Sequence, residues 1–259
     1  MHSVKEIKLS LDPSGRSGGD DKKGQRCANT LARGPDYKGV RAMESVRPLL
    51  LTGNSKLGQS ISHFDLPAVS TCPGRSAVCE RVCYATQGHF RFELNQERLR
   101  WCYDQSRRKD FARRMVQEVR RKGVLVLRVH VSGDFYNAAY ARKWLEVFRQ
   151  CPGVKFYFYT RSWRVPEIAP VLEQMAKLRC CKVWYSIDSD TGLPECVPAR
   201  VRLAYLQVTE GDQPEQTDLV FRVRRLRRQR FPLSLVCPHE TPQGRANNVN
   251  CGNCGRCWR

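Results

Sequence analysis

The sequence predicts an α/β fold built on a parallel sheet and read as a β/α barrel, with a cysteine-rich metal-binding extension at its C-terminal end. Three observations carry that reading. From Gly123 onward, apolar runs of strand length alternate with amphipathic stretches of helical period. Several of those strands end in polar clusters, as the functional mouth of a β/α barrel does. Seven of the thirteen cysteines fall into two tight groups that bracket the alternating region.

Taken in order, residues 1–45 are rich in Gly, Ser, Asp, Lys and Arg with little periodicity, and read as a flexible basic arm. Order is expected to begin at Arg47-Pro48-Leu49-Leu50-Leu51. The following residues 52–58 form a glycine-punctuated loop that lacks the Gly-Lys-Ser/Thr ending of a phosphate loop. Residues 95–122 show helical periodicity, with Leu99, Tyr103, Phe111, Met115, Val116 and Val119 near one side, and Gly123 stops that helix. Strands are predicted at 124–131, 155–159, 182–187, 201–208, 219–223 and 233–236, with helices at 137–150 and 166–178. Strands separated by helices imply right-handed βαβ units. The organisation expected is an arm (1–45), a barrel domain with the first cysteine group (46–236) and a C-terminal cysteine segment (237–259).

A chain of 259 residues with a 41% hydrophobic fraction is long enough for such a core. No run of 18 apolar residues is present, and the N-terminus lacks a secretory apolar region, so a cytoplasmic protein without membrane contact is expected. Lys and Arg number 45 against 25 Asp and Glu, a net charge of +20 with a pI near 9.8. Such a surface attracts polyanions, and DNA or RNA is the expected partner. Residues 221–231, FRVRRLRRQRF, concentrate that charge in Arg222, Arg224, Arg225, Arg227, Arg228 and Arg230, flanked by aromatics able to stack on bases.

Thirteen cysteines without an export signal are better explained by metal than by disulfides. Cys72, Cys79 and Cys83 are spaced C-x6-C-x3-C, enough to hold a metal centre while leaving one coordination position open. Cys237, Cys251, Cys254 and Cys257 are spaced C-x13-C-x2-C-x2-C, enough to complete a four-thiolate site. Cysteines stepping by three favour a [4Fe–4S] cluster, with zinc as the alternative at this C-terminal site. How the seven ligands are shared between centres is open at this level.

The succession of a cysteine triad, then Ser132-Gly133-Asp134, Thr160-Arg161-Ser162 and Ser186-Ile187-Asp188, resembles radical S-adenosylmethionine enzymes. The resemblance implies a partial TIM-like (β/α)6 barrel and a [4Fe–4S] cluster on Cys72, Cys79 and Cys83. It also implies S-adenosylmethionine held by Ser132, Gly133 and Asp134 beside Tyr84, with Asp134, Arg161, Ser186 and Asp188 as the groups around the reaction. The triad gaps of six and three, and Asp134 in place of a glutamate, differ from that family's pattern. The segments LTGNSKLGQSISHFDLPAVSTCP, CYATQG, HVSGDF, FYTRSW, WYSIDSDTGLPE and CGNCGRCW resemble phage and mobile-element proteins of the "gene product eighty-eight" type. Together these readings lead to the expectation of an iron–sulfur barrel protein acting on or binding nucleic acid or a nucleotide, with radical chemistry as one route. The alternative is a non-catalytic nucleic-acid-binding protein whose metal centres are structural.

Overall fold

Seven strands form one mostly parallel sheet in chain order, and each of its two faces is covered by a different kind of structure. The computed structural model describes residues 47–210, 212, 216–228 and 235–259. The predicted arm, Cys27 and Arg230 lie outside them. The strands are β1 (Leu51–Thr52), β2 (Ser62–Phe64), β3 (Val126–Val129), β4 (Lys155–Thr160), β5 (Cys181–Ile187), β6 (Val201–Gln207) and β7 (Leu219–Arg222). β1 pairs antiparallel with β2, and every later neighbour pair is parallel. Of the strand expected at 233–236, residues 233 and 234 lie outside the described residues, and Val236 makes a parallel bridge with Val220 beyond β7.

Alternation of side chains along each strand divides the sheet. Leu127 and Val129, Phe156 and Phe158, Val183, Tyr185 and Ile187 point to one face and join the main core with Phe111, Met115, Trp144, Phe148, Leu172 and Met175. Those helical residues belong to α3 (Phe111–Arg121), α4 (Ala138–Gln150) and α5 (Ala169–Lys177), preceded by α1 (Ala77–Arg81) and α2 (Glu93–Arg107). The opposite face presents Val126, Tyr157 and Trp184, and it is covered by residues 57–61 and by the C-terminal cysteine segment. That segment contains two short helices, α6 (Pro242–Ala246) and α7 (Cys251–Cys254). Strands buried from both sides explain why β3 to β5 read as nearly continuous apolar runs.

Two expectations are corrected. The single helix expected over 95–122 is two, because Arg108 leaves helical conformation at ψ 144 before Phe111 restarts the chain. The corner is fixed by the Arg108 Nε–H donating to Asp110 Oδ1 at 2.9 Å, and it lets Phe111 enter the core fully buried. β2 was not anticipated; His63 and Asp65 disguise it, although both are buried and bonded to each other, Nδ1 to Oδ2 at 2.6 Å. The start of the ordered chain is anchored by Glu118 of α3, whose carboxylate accepts from the Leu49 and Leu50 N–H groups at 2.7 and 2.9 Å. No helix among the described residues is long and apolar enough to cross a membrane.

His130, at the end of β3, gives the fold an acid limit. Its ring is 3% exposed and its Nε2 meets the Tyr140 hydroxyl at 2.7 Å. Burial pushes the imidazole down to about 3, outweighing the opposing pull of Asp65. In the unfolded chain the same group takes up a proton near pH 6.5, so between about 6.5 and about 3 the unfolded state binds more protons. Stability is therefore fully present above pH 6.5 and declines as pH falls through that window, by up to about 1.4 kcal/mol per pH unit from this residue. Urea unfolding across the window should show a shallower decline in H130Q than in the parent; equal slopes would contradict the assignment.

Candidate metal centres

The two cysteine groups come together as two separate sets. In the first, Cys72 opens a turn in which the Arg75 N–H donates to the Cys72 carbonyl at 3.3 Å. Ser76 then caps α1 by accepting from the Cys79 N–H at 2.9 Å. The helix stops after five residues, and the Cys83 N–H closes back on the Glu80 carbonyl at 3.3 Å, so three half-buried thiols surround one short helix. Gly74 is required there, since a Cβ would sit 2.0 Å from the Arg161 carbonyl oxygen. Burial, then the Asp134 carboxylate, pushes the Cys72 thiol up to about 12, with Cys79 and Cys83 adding to it. Burial also raises Cys83, with Cys79 adding. Metal-free, these two thiols are protonated near neutral pH, and a metal must displace their protons as it binds.

The polar strand ends are the mount for this loop. Asp188 Oδ2 accepts from the Ser76 hydroxyl at 2.6 Å and pairs with Arg161 Nη1 at 2.9 Å, while Asp190 Oδ2 accepts from the Val78 N–H at 2.9 Å. Arg164 Nη1 donates to the Gly74 carbonyl at 3.2 Å. Asp134 ties β3 to β4: Oδ1 accepts from the Phe135 N–H at 2.8 Å and the Thr160 hydroxyl at 2.7 Å, and Oδ2 accepts from the Arg161 N–H at 2.8 Å. Ser132 donates to the Leu66 carbonyl at 2.8 Å, and Gly133 follows it at φ +80. Ser186 contributes its carbonyl, which accepts from Arg161 Nη1 at 3.3 Å and Trp163 Nε1 at 3.0 Å.

These placements change the expected roles. Asp134 has both carboxylate oxygens occupied by protein donors and is 5% exposed; Ser132 is 2% exposed and already bonded. Both side chains are thus engaged within the protein, Asp134 in joining β3 to β4 and Ser132 in holding the chain at Leu66. Asp188 is bonded to Arg161 and, through the Ser76 hydroxyl, to the loop that opens α1, while Arg161 also donates to the Ser186 carbonyl. Tyr84 has an exposed ring, while its hydroxyl reaches inward and donates to the Val131 carbonyl.

The second set lies against the face covered by residues 57–61 and the C-terminal segment. Cys237 continues alongside β7, its N–H donating to the Val220 carbonyl at 2.9 Å. Asn250 caps α7, accepting from the Gly252 and Asn253 N–H groups at 2.9 and 3.1 Å, and Gly255 ends it at φ +71. α7 docks on the glycine-punctuated loop: the Cys251 N–H donates to the Lys56 carbonyl at 2.8 Å and the Gly252 N–H to the Leu57 carbonyl at 3.0 Å. A Cβ at position 252 would lie 2.5 Å from Ser60 Oγ. Trp184 Nε1–H donates to the Cys257 carbonyl at 3.0 Å, fastening the segment to β5. Loop 53–58 is therefore a docking platform for the cysteine segment.

Cys237, Cys251, Cys254 and Cys257 line one pocket together with Leu219 and His239. Burial pushes the Cys237 thiol up to about 12, and raises Cys257, with neighbouring cysteines of the set adding in both cases. Among the described residues, no three His, Cys, Asp or Glu side chains close on one point as a single metal ion requires. One zinc ion bound at about 2.3 Å would draw its sulfurs to roughly 3.8 Å of each other. A cube gives each thiolate its own iron and holds the sulfurs further apart.

The basic segment is divided by the fold. Arg222 is 3% exposed and so is not a surface residue, contrary to expectation. Arg227 Nη2 pairs with the buried Glu240 at 3.0 Å, and Arg225 donates to the Val208 carbonyl at 2.6 Å. The Arg224 and Arg225 side chains are exposed, as are Arg107, Lys109, Arg113, Arg120 and Arg121 on or beside α2 and α3.

A family model described as "Gene product 88" matches residues 36–259. The chain is 26% identical over 218 residues to the Gene 88 protein of Mycobacterium phage L5, covering 79% of this chain and 84% of that relative. It is 24% identical over 224 residues to the Gene 88 protein of Mycobacterium phage D29, covering 79% and 85%. No solved structure matches significantly.

The mount yields a prediction. D188N removes the anionic partner of the buried Arg161 guanidinium and should cost about 3 kcal/mol or more in urea unfolding. It should also speed alkylation of Cys79 relative to the parent. A loss below about 1 kcal/mol with unchanged alkylation would contradict the bracing role.

Proposed function

The chain belongs to the gene product 88 family, and we propose that it is an iron–sulfur protein with two thiolate-held centres of different character. Cys72, Cys79 and Cys83 hold an open centre at the C-terminal ends of the parallel strands. Cys237, Cys251, Cys254 and Cys257 hold a closed centre against the opposite face of the sheet from α3, α4 and α5. The observation that carries this reading is the separate gathering of the two sets: three thiols around one braced helix, four lining one pocket. A [4Fe–4S] cluster on three cysteines has one iron without a protein thiolate, which is open to a small-molecule ligand.

The protein's own part is positional. Asp188, Asp190 and Arg164 fix the loop that carries Cys72 and Cys79, and Asp134 locks the strand ends beneath it. Parallel strands in unbroken chain order, with helices on one face, support reading the sheet as a partial barrel whose inner side is filled by the C-terminal segment. The shared pocket, together with cysteines stepping by three in the sequence, supports a cluster over a single zinc at the four-cysteine site. The net charge of +20 supports a polyanionic partner, nucleic acid first, on the surface that Arg224 and Arg225 expose.

Protein purified without oxygen should be brown and carry about four iron and four sulfide per centre. C79S and C254S should each remove about half of that iron. A colourless protein, or one holding only zinc, would overturn the reading. The partner is tested separately: R224Q/R225Q should lower the log–log salt slope of DNA or RNA binding by about one unit per lost phosphate contact. An unchanged slope would remove this segment from the interface.

A further inference from the structure

The face covered by the C-terminal segment holds a charge with no carboxylate partner among the described residues. Arg128 of β3 is 9% exposed, and its Nε–H donates to the His130 carbonyl at 3.1 Å. Among the described residues no carboxylate pairs with it. Its neighbour Lys56, by contrast, is paired with Glu240 at 3.0 Å. A buried guanidinium without an anion costs several kcal/mol, and such charges are found paired or beside metal centres.

What surrounds Arg128 is a wall of tyrosines and cysteines. Its Cζ lies 5.3 Å from the Tyr159 ring centroid. Burial opposes its charge, while Tyr84, Tyr157, Tyr159 and Cys251 favour it. Tyr157 is fully buried and packs with Tyr159, Cys251 and Cys257. The hydroxyls of both Tyr157 and Tyr159 are buried without a well-formed hydrogen bond in the protein. Tyr157 faces the Cys251 sulfur and Tyr159 the Cys257 sulfur. Two orphaned donors and one unbalanced cation thus face the same two thiols.

We propose that Arg128, Tyr157 and Tyr159 form the charge-compensating wall of the C-terminal centre. The guanidinium balances the negative charge of the thiolate-bound cluster, and the two hydroxyls donate to the Cys251 and Cys257 sulfurs. Hydrogen bonds to cluster sulfurs and nearby positive charge both favour the reduced, more negative form, so this wall raises the reduction potential of the centre. The C-terminal centre is therefore tuned for electron transfer as well as for holding the chain end. The inference rests on the four-cysteine site binding an iron–sulfur cluster. Arg128, Tyr157 and Tyr159 act through the ligands and are positioning residues.

The test is a potentiometric titration followed by electron paramagnetic resonance on the full-length protein, reconstituted with iron and sulfide without oxygen. The signal of the C-terminal centre is identified as the one C254S lacks. Y157F and Y159F should retain the parent's iron and sulfide while the midpoint of that signal moves to more negative potential. R128Q should move it further or lose the cluster, and R128K should restore most of the parent value. Full iron with an unmoved midpoint in both tyrosine variants would overturn the wall while leaving the cluster reading intact. Zinc in place of iron and sulfide at the four cysteines of the parent would overturn both.

Discussion

Arg128 sets the problem that the C-terminal half of the molecule solves. A guanidinium in the interior of a sheet needs an anion, and among the described residues no carboxylate pairs with it. Its surroundings are phenols, which keep their protons, and thiols, which become anionic as a metal displaces theirs. In this account the four-cysteine centre supplies the missing counter-charge. The docking of residues 237–259 and the shape of the glycine-punctuated loop beneath α7 follow from the need to bring those sulfurs to that face.

The two faces of the sheet divide the work. Helices α3, α4 and α5 seal one face with aromatic and aliphatic side chains, and that burial supplies the main core. The other face carries Arg128 and Tyr157 and is covered by residues 57–61 and the C-terminal cysteine segment. The triad occupies neither face but the strand ends, clamped by Asp188 and Asp190 across sequence separations of 112 residues. In the proposed reading the centre at the strand ends is the one that leaves a coordination position for another molecule.

The sequence made the strands legible where burial on both faces produced long apolar runs, as in β4 with Phe156, Tyr157 and Phe158. It hid β2, which is three residues long and interrupted by His63, and it hid the break at Arg108 because the apolar period resumes in phase at Phe111. Cysteine spacing showed which thiols gather, yet the partition into three and four needed the fold. The strand-end motifs were visible as polar clusters, whereas their task was not. Asp134, Arg161 and Asp188 resemble groups waiting for a ligand until their bonds to Thr160, Ser76 and each other are seen. Nothing local in the sequence reveals that the neighbours of Arg128 are Tyr157 and Cys251.

The central claim is that the four C-terminal thiolates hold a polynuclear iron centre beside Arg128. X-ray absorption at the iron edge of a triad-free C72A/C79A/C83A protein, prepared without oxygen, addresses it most directly. The account predicts a sulfur shell around iron together with scattering from neighbouring iron atoms. Zinc surrounded by sulfur alone, or a folded protein with no metal at these cysteines, would contradict it.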